Sequence, residues 1–177
     1  MKFKRAVLLL TLLGAVLLGG IGAKDQGEAP PPKATGPQEA EVLGVVFDQR
    51  TQQPLVFLRG KRDKRNLAMV IGHAEFNGIA LPLHGVTPPR PLTHDLFLTL
   101  FSRLKVSLTR VVITDLRNDT YYALVYLSAN GAELTLDSRP SDAIALAIRA
   151  KVPILVEDRV FDKAETGGPR PGPGPTL

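Results

Sequence analysis

One stretch near the end of the chain constrains the fold more than any other. Residues 141–150 have the length of a short helix, and they are apolar on nearly every face. A helix that is apolar all round is buried in the interior of a protein. The residues that follow, 152–156, have the composition of a short buried strand. We therefore expect the helix at 141–150 to lie inside the domain.

Hydrophobic periodicity and turn residues predict the other elements. Strands are expected at 41–48, 54–59, 66–72, 106–116, 121–129, 132–137 and 152–156, and further helices at 73–83, 94–105 and 158–164. Asn130-Gly131 is a strong hairpin turn. Strands grouped with inserted helices predict an α+β fold, a single compact domain with a mixed or antiparallel sheet and three to four helices.

The predicted helix at 94–105 carries a regular apolar stripe. Thr93 is placed to cap its start. The stripe predicts core packing, and its members are Leu96, Phe97, Leu100, Phe101 and Leu104.

The two ends of the chain differ from the middle. Residues 1–23 combine a basic start with an apolar run, which is typical of a secretory signal. The alternative is an uncleaved membrane anchor, because the run at 6–23 has 18 residues, the lower limit for crossing a bilayer. Residues 24–40 are a Pro-rich linker and 165–177 a disordered Pro/Gly tail, which leaves 41–164 as the domain. Both interpretations of the first segment place this domain outside the cytoplasm, either exported to the periplasm or medium or anchored in the inner membrane.

Composition excludes several classes of protein. Apolar residues make up 44% of the chain, too many for a wholly disordered protein. The absence of Cys excludes disulfides, thiolate zinc sites and a cysteine nucleophile. The net charge of +5 falls to +2 once Lys2, Lys4 and Arg5 are set aside with the first segment. A protein that coats nucleic acid through many phosphate contacts is therefore disfavoured.

The densest polar motif is DSRPSD at residues 137–142, where a predicted strand meets the apolar helix. In a structural interpretation, Ser138 or Ser141 caps the helix and Asp142 complements its dipole. In a functional interpretation, Asp137 and Asp142 bind a divalent cation while Arg139 contacts a phosphate. The sequence leaves both open.

A second polar motif, RPLTHD at residues 90–95, opens the helix at 94–105. It allows a capped helix with a half-buried histidine. It also allows His94 as a general acid or base and Asp95 as a metal ligand or orienting partner. Glu75, early in the helix at 73–83, is either solvated or part of a site.

Basic residues crowd one predicted hairpin turn. A solvated turn is one interpretation and contact with a phosphate backbone is the other. The residues concerned are Arg59, Lys61, Arg62, Lys64 and Arg65.

Several sequence blocks resemble the bifunctional nuclease domain family in order and spacing. They are IGHAE at 71–75, PRPLTHDL at 89–96, VITD at 112–115, DSRPSDAIALA at 137–147 and VPI at 152–154. The resemblance covers about 41–164. It implies a compact α+β fold and the cleavage of both DNA and RNA for which plant members are named. The family's polar positions fall on Glu75, Arg90, His94, Asp95, Asp115, Asp137, Arg139, Ser141 and Asp142.

The resemblance leads to a first hypothesis, hydrolysis of phosphodiester bonds in DNA and RNA with low sequence specificity. Here Asp95, Asp137 and Asp142, with Glu75 close by, would hold Mg²⁺ or Mn²⁺, and the metal would activate water. His94 would transfer a proton. Arg90, Arg139 and Ser141 would bind the substrate phosphate. The hypothesis requires the two polar motifs to meet in space.

Two other hypotheses remain open. One is a non-enzymatic binding or assembly module outside the cytoplasm that keeps the fold without the activity; in either case we expect a homo-oligomer. The other is a sensor of a small phosphorylated ligand at the start of the helix at 141–150.

Overall fold

The computed structural model of the chain describes residues 35–167. The expected signal or anchor at 1–23, the first part of the expected linker and residues 168–177 of the expected tail lie outside these residues. Between residues 35 and 167, none of the helices is both long and apolar enough to cross a membrane.

Seven strands and four helices make up the described part of the chain. The strands are β1 (Gln38–Asp48), β2 (Gln53–Gly60), β3 (Asn66–Val70), β4 (Val106–Arg117), β5 (Thr120–Ala129), β6 (Ala132–Ser138) and β7 (Ile154–Val156). The helices are α1 (His73–Leu83), α2 (Thr93–Arg103), α3 (Pro140–Ala150) and α4 (Asp158–Gly167). Every predicted element is present with its predicted type.

The strands form one mixed sheet in the order β3-β2-β1-β7-β4-β5-β6. Neighbouring strands are antiparallel except for β4 and β7, which run parallel. The short β7 therefore joins an N-terminal three-stranded part to a C-terminal three-stranded part. The predicted α+β fold is confirmed.

Helix α3 lies in the core, as its composition predicts. Ile144, Ala145 and Ala147 have no measurable exposure. The helix packs against α1, α2 and the strands β4 and β5. Its start, which carries the DSRPSD motif, is thereby fixed between β6 and two other helices.

Two boundaries differ from the predictions by three residues, and the others by at most two. β1 begins at Gln38, inside the expected linker, because residues 38–40 pair with β7. α4 continues to Gly167, beyond the predicted end at residue 164.

The predicted serine and threonine caps are wrong. Leu92 and Arg139 occupy the N-cap positions of α2 and α3, and neither helix start has a capping bond from the cap side chain. Instead the Asp95 carboxylate accepts the backbone N–H of Leu92 at 2.8 Å. Thr93 is the first helical residue of α2 rather than its cap.

The predicted core stripe of α2 is also wrong at four of its five positions. Leu96, Phe97, Leu100 and Leu104 are 48–64% exposed, and α2 has no buried residue. The face that packs on the protein carries His94, Leu98 and Phe101, which follow each other at helical spacing. The apolar stripe consequently lies largely in solvent.

Candidate active site at the start of α3

Arg139 is the centre of a polar cluster that joins α1 to α3. Its Nε donates to Asp142 Oδ2 at 2.7 Å, and its Nη2 donates to Glu75 Oε1 at 2.6 Å and to Asp142 Oδ1 at 3.2 Å. The two carboxylates raise the pKa of the Arg139 guanidinium, so it remains charged. Its Nη1 has no partner among residues 35–167, and the side chain is 64% exposed.

His94 brings α2 into the same cluster. Its Nε2 lies 3.3 Å from Asp142 Oδ1, and its side chain is only 12% exposed. We call Glu75, His94, Arg139 and Asp142 the Arg139 cluster. The requirement that the two polar motifs meet in space is therefore satisfied by these four residues.

Gly78 makes room for His94, a role that the sequence analysis missed. A Cβ at position 78 would lie 2.8 Å from His94 Cε1 and 3.1 Å from Nδ1. Side-chain atoms do not approach a Cβ that closely without moving. An isolated Gly inside an amphipathic helix often marks close packing, and that was the available signal.

Gly72 has a similar relation to Glu75. A Cβ at position 72 would lie 2.0 Å from Glu75 Oε2, so the carboxylate rests against the Gly72 backbone while its other oxygen accepts from Arg139. Glycine at the N-cap of α1 thus allows Glu75 to reach the cluster.

A pocket of about 520 Å³ opens beside the cluster, between α2, β6 and the start of α3. We call it the α2 pocket. Asp137, His94, Arg139 and Asp142 form part of its wall. The rest is largely apolar and includes Phe97, Phe101, Val125, Leu136 and Leu146. The pocket thus combines one exposed guanidinium, paired carboxylates and a broad apolar surface.

Ser141 faces a different pocket. It is buried and lines a smaller cavity of about 230 Å³, the tyrosine pocket, with Tyr121 and Thr120. Arg139 lines both cavities. A phosphate held by Arg139 could therefore be approached from either side, but Ser141 belongs only to the smaller one.

Asp95 does not join the Arg139 cluster. Its Oδ1 accepts from Arg149 Nε at 2.8 Å and its Oδ2 from the Leu92 backbone. Burial alone would raise the pKa of Asp95, but these two hydrogen bonds outweigh it and lower the pKa. The side chain lines a third cavity of about 480 Å³, the proline pocket, built by the loop before α2 and the end of α3.

Arg90 also stands apart from the cluster. It is exposed, makes no ion pair within the described chain, and lines none of these three pockets. The sequence analysis placed Arg90 at the substrate phosphate beside Arg139, whereas the structure does not bring it to the Arg139 cluster.

The predicted metal ligands do not form one group. Within residues 35–167, no three His, Asp or Glu side chains lie together in a way that could hold a metal ion. Asp95 is turned toward Arg149, whereas Asp137 and Asp142 share the α2 pocket. A site made of all three aspartates does not fit this arrangement.

Asp115 has a structural environment. It accepts from Lys163 Nζ at 2.5 Å, from Arg117 Nε at 2.6 Å and from the Leu116 backbone at 2.8 Å. These donors hold the pKa of Asp115 far below its usual range. The residue therefore attaches α4 to β4 and lies outside the candidate site.

The basic turn between β2 and β3 is neutralised by ion pairs. Arg62 and Arg65 both contact Asp158 at the start of α4, and Arg65 also contacts Asp63 and Asp162. Arg59 pairs with Glu41 and Lys61 with Glu39. The turn is largely exposed, as its interpretation as a solvated turn predicts, and four of its five cations also have carboxylate partners.

Comparison with known proteins identifies a family. Residues 56–167 match the family model described as the bifunctional nuclease domain. An uncharacterized protein of Mycobacterium tuberculosis is 42% identical over 126 residues, which cover 71% of this chain and 75% of that protein. Bifunctional nuclease 1 of Oryza sativa subsp. indica is 37% identical over 81 residues, 44% of this chain and 24% of the rice protein. The matched range contains the whole Arg139 cluster.

Proposed function

Because the chain belongs to the bifunctional nuclease domain family, we propose that it hydrolyses phosphodiester bonds of DNA and RNA with low sequence specificity. The observation that carries the proposal is the exposed Arg139, whose Nη1 is free for a ligand within the described structure, beside the Asp142–His94 pair at the α2 pocket.

Arg139 is the phosphate-binding group of this proposal. Its Nη1 would donate to a non-bridging phosphate oxygen, while Asp142 and Glu75 hold the rest of the guanidinium in place. The apolar wall of the α2 pocket can contact sugars and base faces but cannot read hydrogen-bonding edges. The apolar wall supports the low sequence specificity of the proposal.

The Asp142–His94 pair is the proton-transfer group. A water oxygen would attack phosphorus and form the new P–O bond, and its proton would pass to the pair. The P–O bond to the leaving sugar oxygen would break, and that oxygen would take a proton back from the pair. His94 also positions Asp142, because Nε2 and Oδ1 are 3.3 Å apart.

A divalent cation, Mg²⁺ or Mn²⁺, remains part of the proposal with a reduced set of ligands. Asp137 lines the α2 pocket and has no ion pair among the described residues, whereas both oxygens of Asp142 are engaged by Arg139 and His94. Mg²⁺ commonly binds one or two carboxylates together with substrate phosphates, so Asp137 is the carboxylate ligand of this proposal. When bound, such an ion would neutralise phosphate charge and lower the pKa of a water. Asp95 is excluded from this set by its contacts with Arg149 and Leu92.

Cleavage of labelled single-stranded DNA and RNA by the full-length protein tests the proposal, with EDTA, Mg²⁺ or Mn²⁺ present. We expect Asp142→Asn and Arg139→Lys to lower the rate by about a hundredfold, the usual loss for an electrostatic group in an active site. Asp162→Asn and Arg110→Lys are matched controls, because both residues are in ion pairs away from the α2 pocket. Absence of cleavage under every condition, or equal loss in the controls, would refute it.

We propose that the protein acts outside the cytoplasm. This rests on the predicted signal segment at 1–23 and on no structural observation. Cell fractionation and the mass of the mature protein test it, and they also distinguish a cleaved signal from a retained membrane anchor.

A second candidate function, an assembly module, is favoured by one observation. Phe97 of the exposed α2 stripe lines the α2 pocket together with Leu136 of β6. Leu134 and Leu136 are about half exposed, and β6 has only β5 as a neighbour in the sheet. An open edge strand beside an apolar face can be covered by its own copy across a two-fold axis. We propose a second copy of this chain as the occupant.

Light scattering after size-exclusion chromatography tests that homo-oligomer. We expect Leu100→Glu to convert an oligomer to a monomer, and Leu43→Glu, an equally exposed leucine on β1, to leave it unchanged. A monomeric parent protein contradicts the proposal.

A further inference from the structure

Arg149 is a largely buried arginine, and its hydrogen bonds engage two of the three nitrogens of its guanidinium. The side chain is 9% exposed. Its Nε donates to Asp95 on α2, and its Nη1 donates to the carbonyls of Gly78 on α1 and Ala145 on α3. Its Nη2, with two N–H groups, has no hydrogen-bond partner between residues 35 and 167.

Arg149 is one of the residues that line the proline pocket. The cavity of about 480 Å³ is of the size that takes a nucleotide or a drug-sized ligand. The lining combines two cations, Arg149 and Lys151, with apolar side chains that include Pro82, Val86, Pro88 and Ile148.

Charge in the proline pocket favours an anion. Lys151 is exposed and has no ion pair within the described residues. The one acid in the lining, Asp95, has both carboxylate oxygens engaged, one by Arg149 and one by the Leu92 backbone. The carbonyl end of α3 opposes an anion here, so the affinity for a single phosphate should be modest.

The proline pocket and the α2 pocket lie on either side of the start of α2. His94 lines one and Asp95 lines the other, although they are consecutive residues. A nucleic-acid strand bound at Arg139 would thus have a second cationic cavity close by along its path.

We propose that the proline pocket binds the phosphate of a nucleotide, through Arg149 Nη2 and Lys151 Nζ, with the nucleoside against the apolar side chains. Its role in holding the nucleotide next to the cleaved bond rests on the proposed nuclease function. Its occupation by a nucleoside monophosphate does not depend on cleavage.

Titration with adenosine monophosphate, followed by calorimetry or by amide NMR shifts, tests the site in the full-length protein. Adenosine and inorganic phosphate are the comparison probes. We expect adenosine monophosphate to bind more tightly than either, and Lys151→Asn to weaken it roughly tenfold, the loss of one charge-assisted hydrogen bond. Lys151 has φ 55°, a left-handed conformation that Asn tolerates, so this variant should fold.

Lys105→Asn is the matched control. Lys105 also has φ 55°, is exposed and lies outside the lining of the proline pocket. The proposal is overturned when the parent protein shows no saturable binding of adenosine monophosphate, or when both lysine variants weaken it equally.

Cleavage kinetics separate this inference from the proposed function. A higher KM for an oligonucleotide with unchanged kcat in Lys151→Asn supports the strand-binding role. Nucleotide binding that depends on Lys151 in a protein that cleaves nothing supports the pocket and refutes the nuclease. An unchanged KM in Lys151→Asn overturns the strand-binding role.

Discussion

At the scale of single residues, two arginines, one at the N-cap of α3 and one near its end, make the same kind of contacts. Arg139 and Arg149 each hold a carboxylate from another helix, Glu75 on α1 or Asp95 on α2. Each also leaves one terminal nitrogen free of partners in the described structure. Because guanidinium has five N–H donors in a fixed plane, one side can fix the fold while the other faces a ligand.

Gly78→Ala tests how closely the His94 ring must fit. The new Cβ would lie 2.8 Å from Cε1, so the ring must move away from Asp142. We expect cleavage to fall about ten- to a hundredfold, because small displacements of catalytic groups are costly. Stability should change little, since Ala gains up to about 1 kcal/mol over Gly in a helix.

Asn77→Ala is the control for Gly78→Ala, because it changes an exposed neighbour on the same helix. Cleavage rates and the NMR signals of the His94 imidazole are the measurements. Unchanged imidazole signals in Gly78→Ala would contradict the close fit.

Most residues of the candidate site could be predicted from sequence, but their grouping could not. Glu75, His94, Arg139 and Asp142 stand in recognisable motifs, and the fold brings them together. Asp95 was wrongly grouped with them because adjacent residues on a helix point in different directions. Gly78 signals close packing by its place inside a helix, but only the packed structure identifies His94 as the side chain that it accommodates.

At the scale of elements, α2 shows why an apolar stripe does not by itself identify the buried face. The face that contacts α3 is set by the Asp95–Arg149 and His94–Asp142 contacts, which fix the rotation of the helix about its axis. With that rotation, Leu98 and Phe101 pack inward and the stronger stripe is left exposed. Sequence periodicity gave the helix correctly but carried no information on these polar contacts.

The join between the β2–β3 turn and α4 should make stability depend on acid pH. Burial alone would raise the pKa of Asp63, but hydrogen bonds from Gln38 and Arg65 lower it to about 2 from 3.8. A lowered pKa in the folded state stabilises the protein above about pH 4, and that stabilisation is lost as the pH falls toward 2. We expect Asp63→Asn to lower the free energy of unfolding at pH 7 by about 1–2 kcal/mol, allowing for partial exposure.

Urea unfolding of Asp63→Asn and of the parent protein between pH 2 and pH 7 measures this effect. The two should converge near pH 2. Glu165→Gln, an exposed residue of α4 without an ion pair in the described structure, should match the parent throughout. A constant difference between Asp63→Asn and the parent from pH 7 to pH 2 would contradict the assignment.

At the scale of the whole molecule, charge is balanced rather than patterned. Residues 35–167 contain sixteen Lys and Arg against fifteen Asp and Glu, and most of the cations are in ion pairs. The composition predicted this near neutrality. The order of strands in the sheet could not be predicted, because it depends on pairing between residues far apart in the chain.

Binding to single-stranded nucleic acid should therefore depend only weakly on salt. Arg139, Arg149 and Lys151 are the cations that line the two larger pockets and have a free donor within the described residues. Three phosphate contacts give a slope of about −2 for the logarithm of affinity against the logarithm of salt concentration. Fluorescence anisotropy with Asp142→Asn, which should bind without cutting, measures the slope. A slope steeper than about −5 would point to a cationic surface that these residues do not account for.

The shortest strand determines when the sheet can be completed during synthesis of the chain. β7, three residues long, pairs Gln38 with Val156 on one side and Val111 with Ile154 on the other. The strands on either side of β7 can pair as soon as they leave the ribosome, whereas the two parts of the sheet can join only after residues 154–156 have been synthesised. Contacts between such distant positions form slowly. During synthesis the sheet therefore exists as two separate three-stranded parts. The edges of β1 and β4 stay unpaired until β7 binds between them.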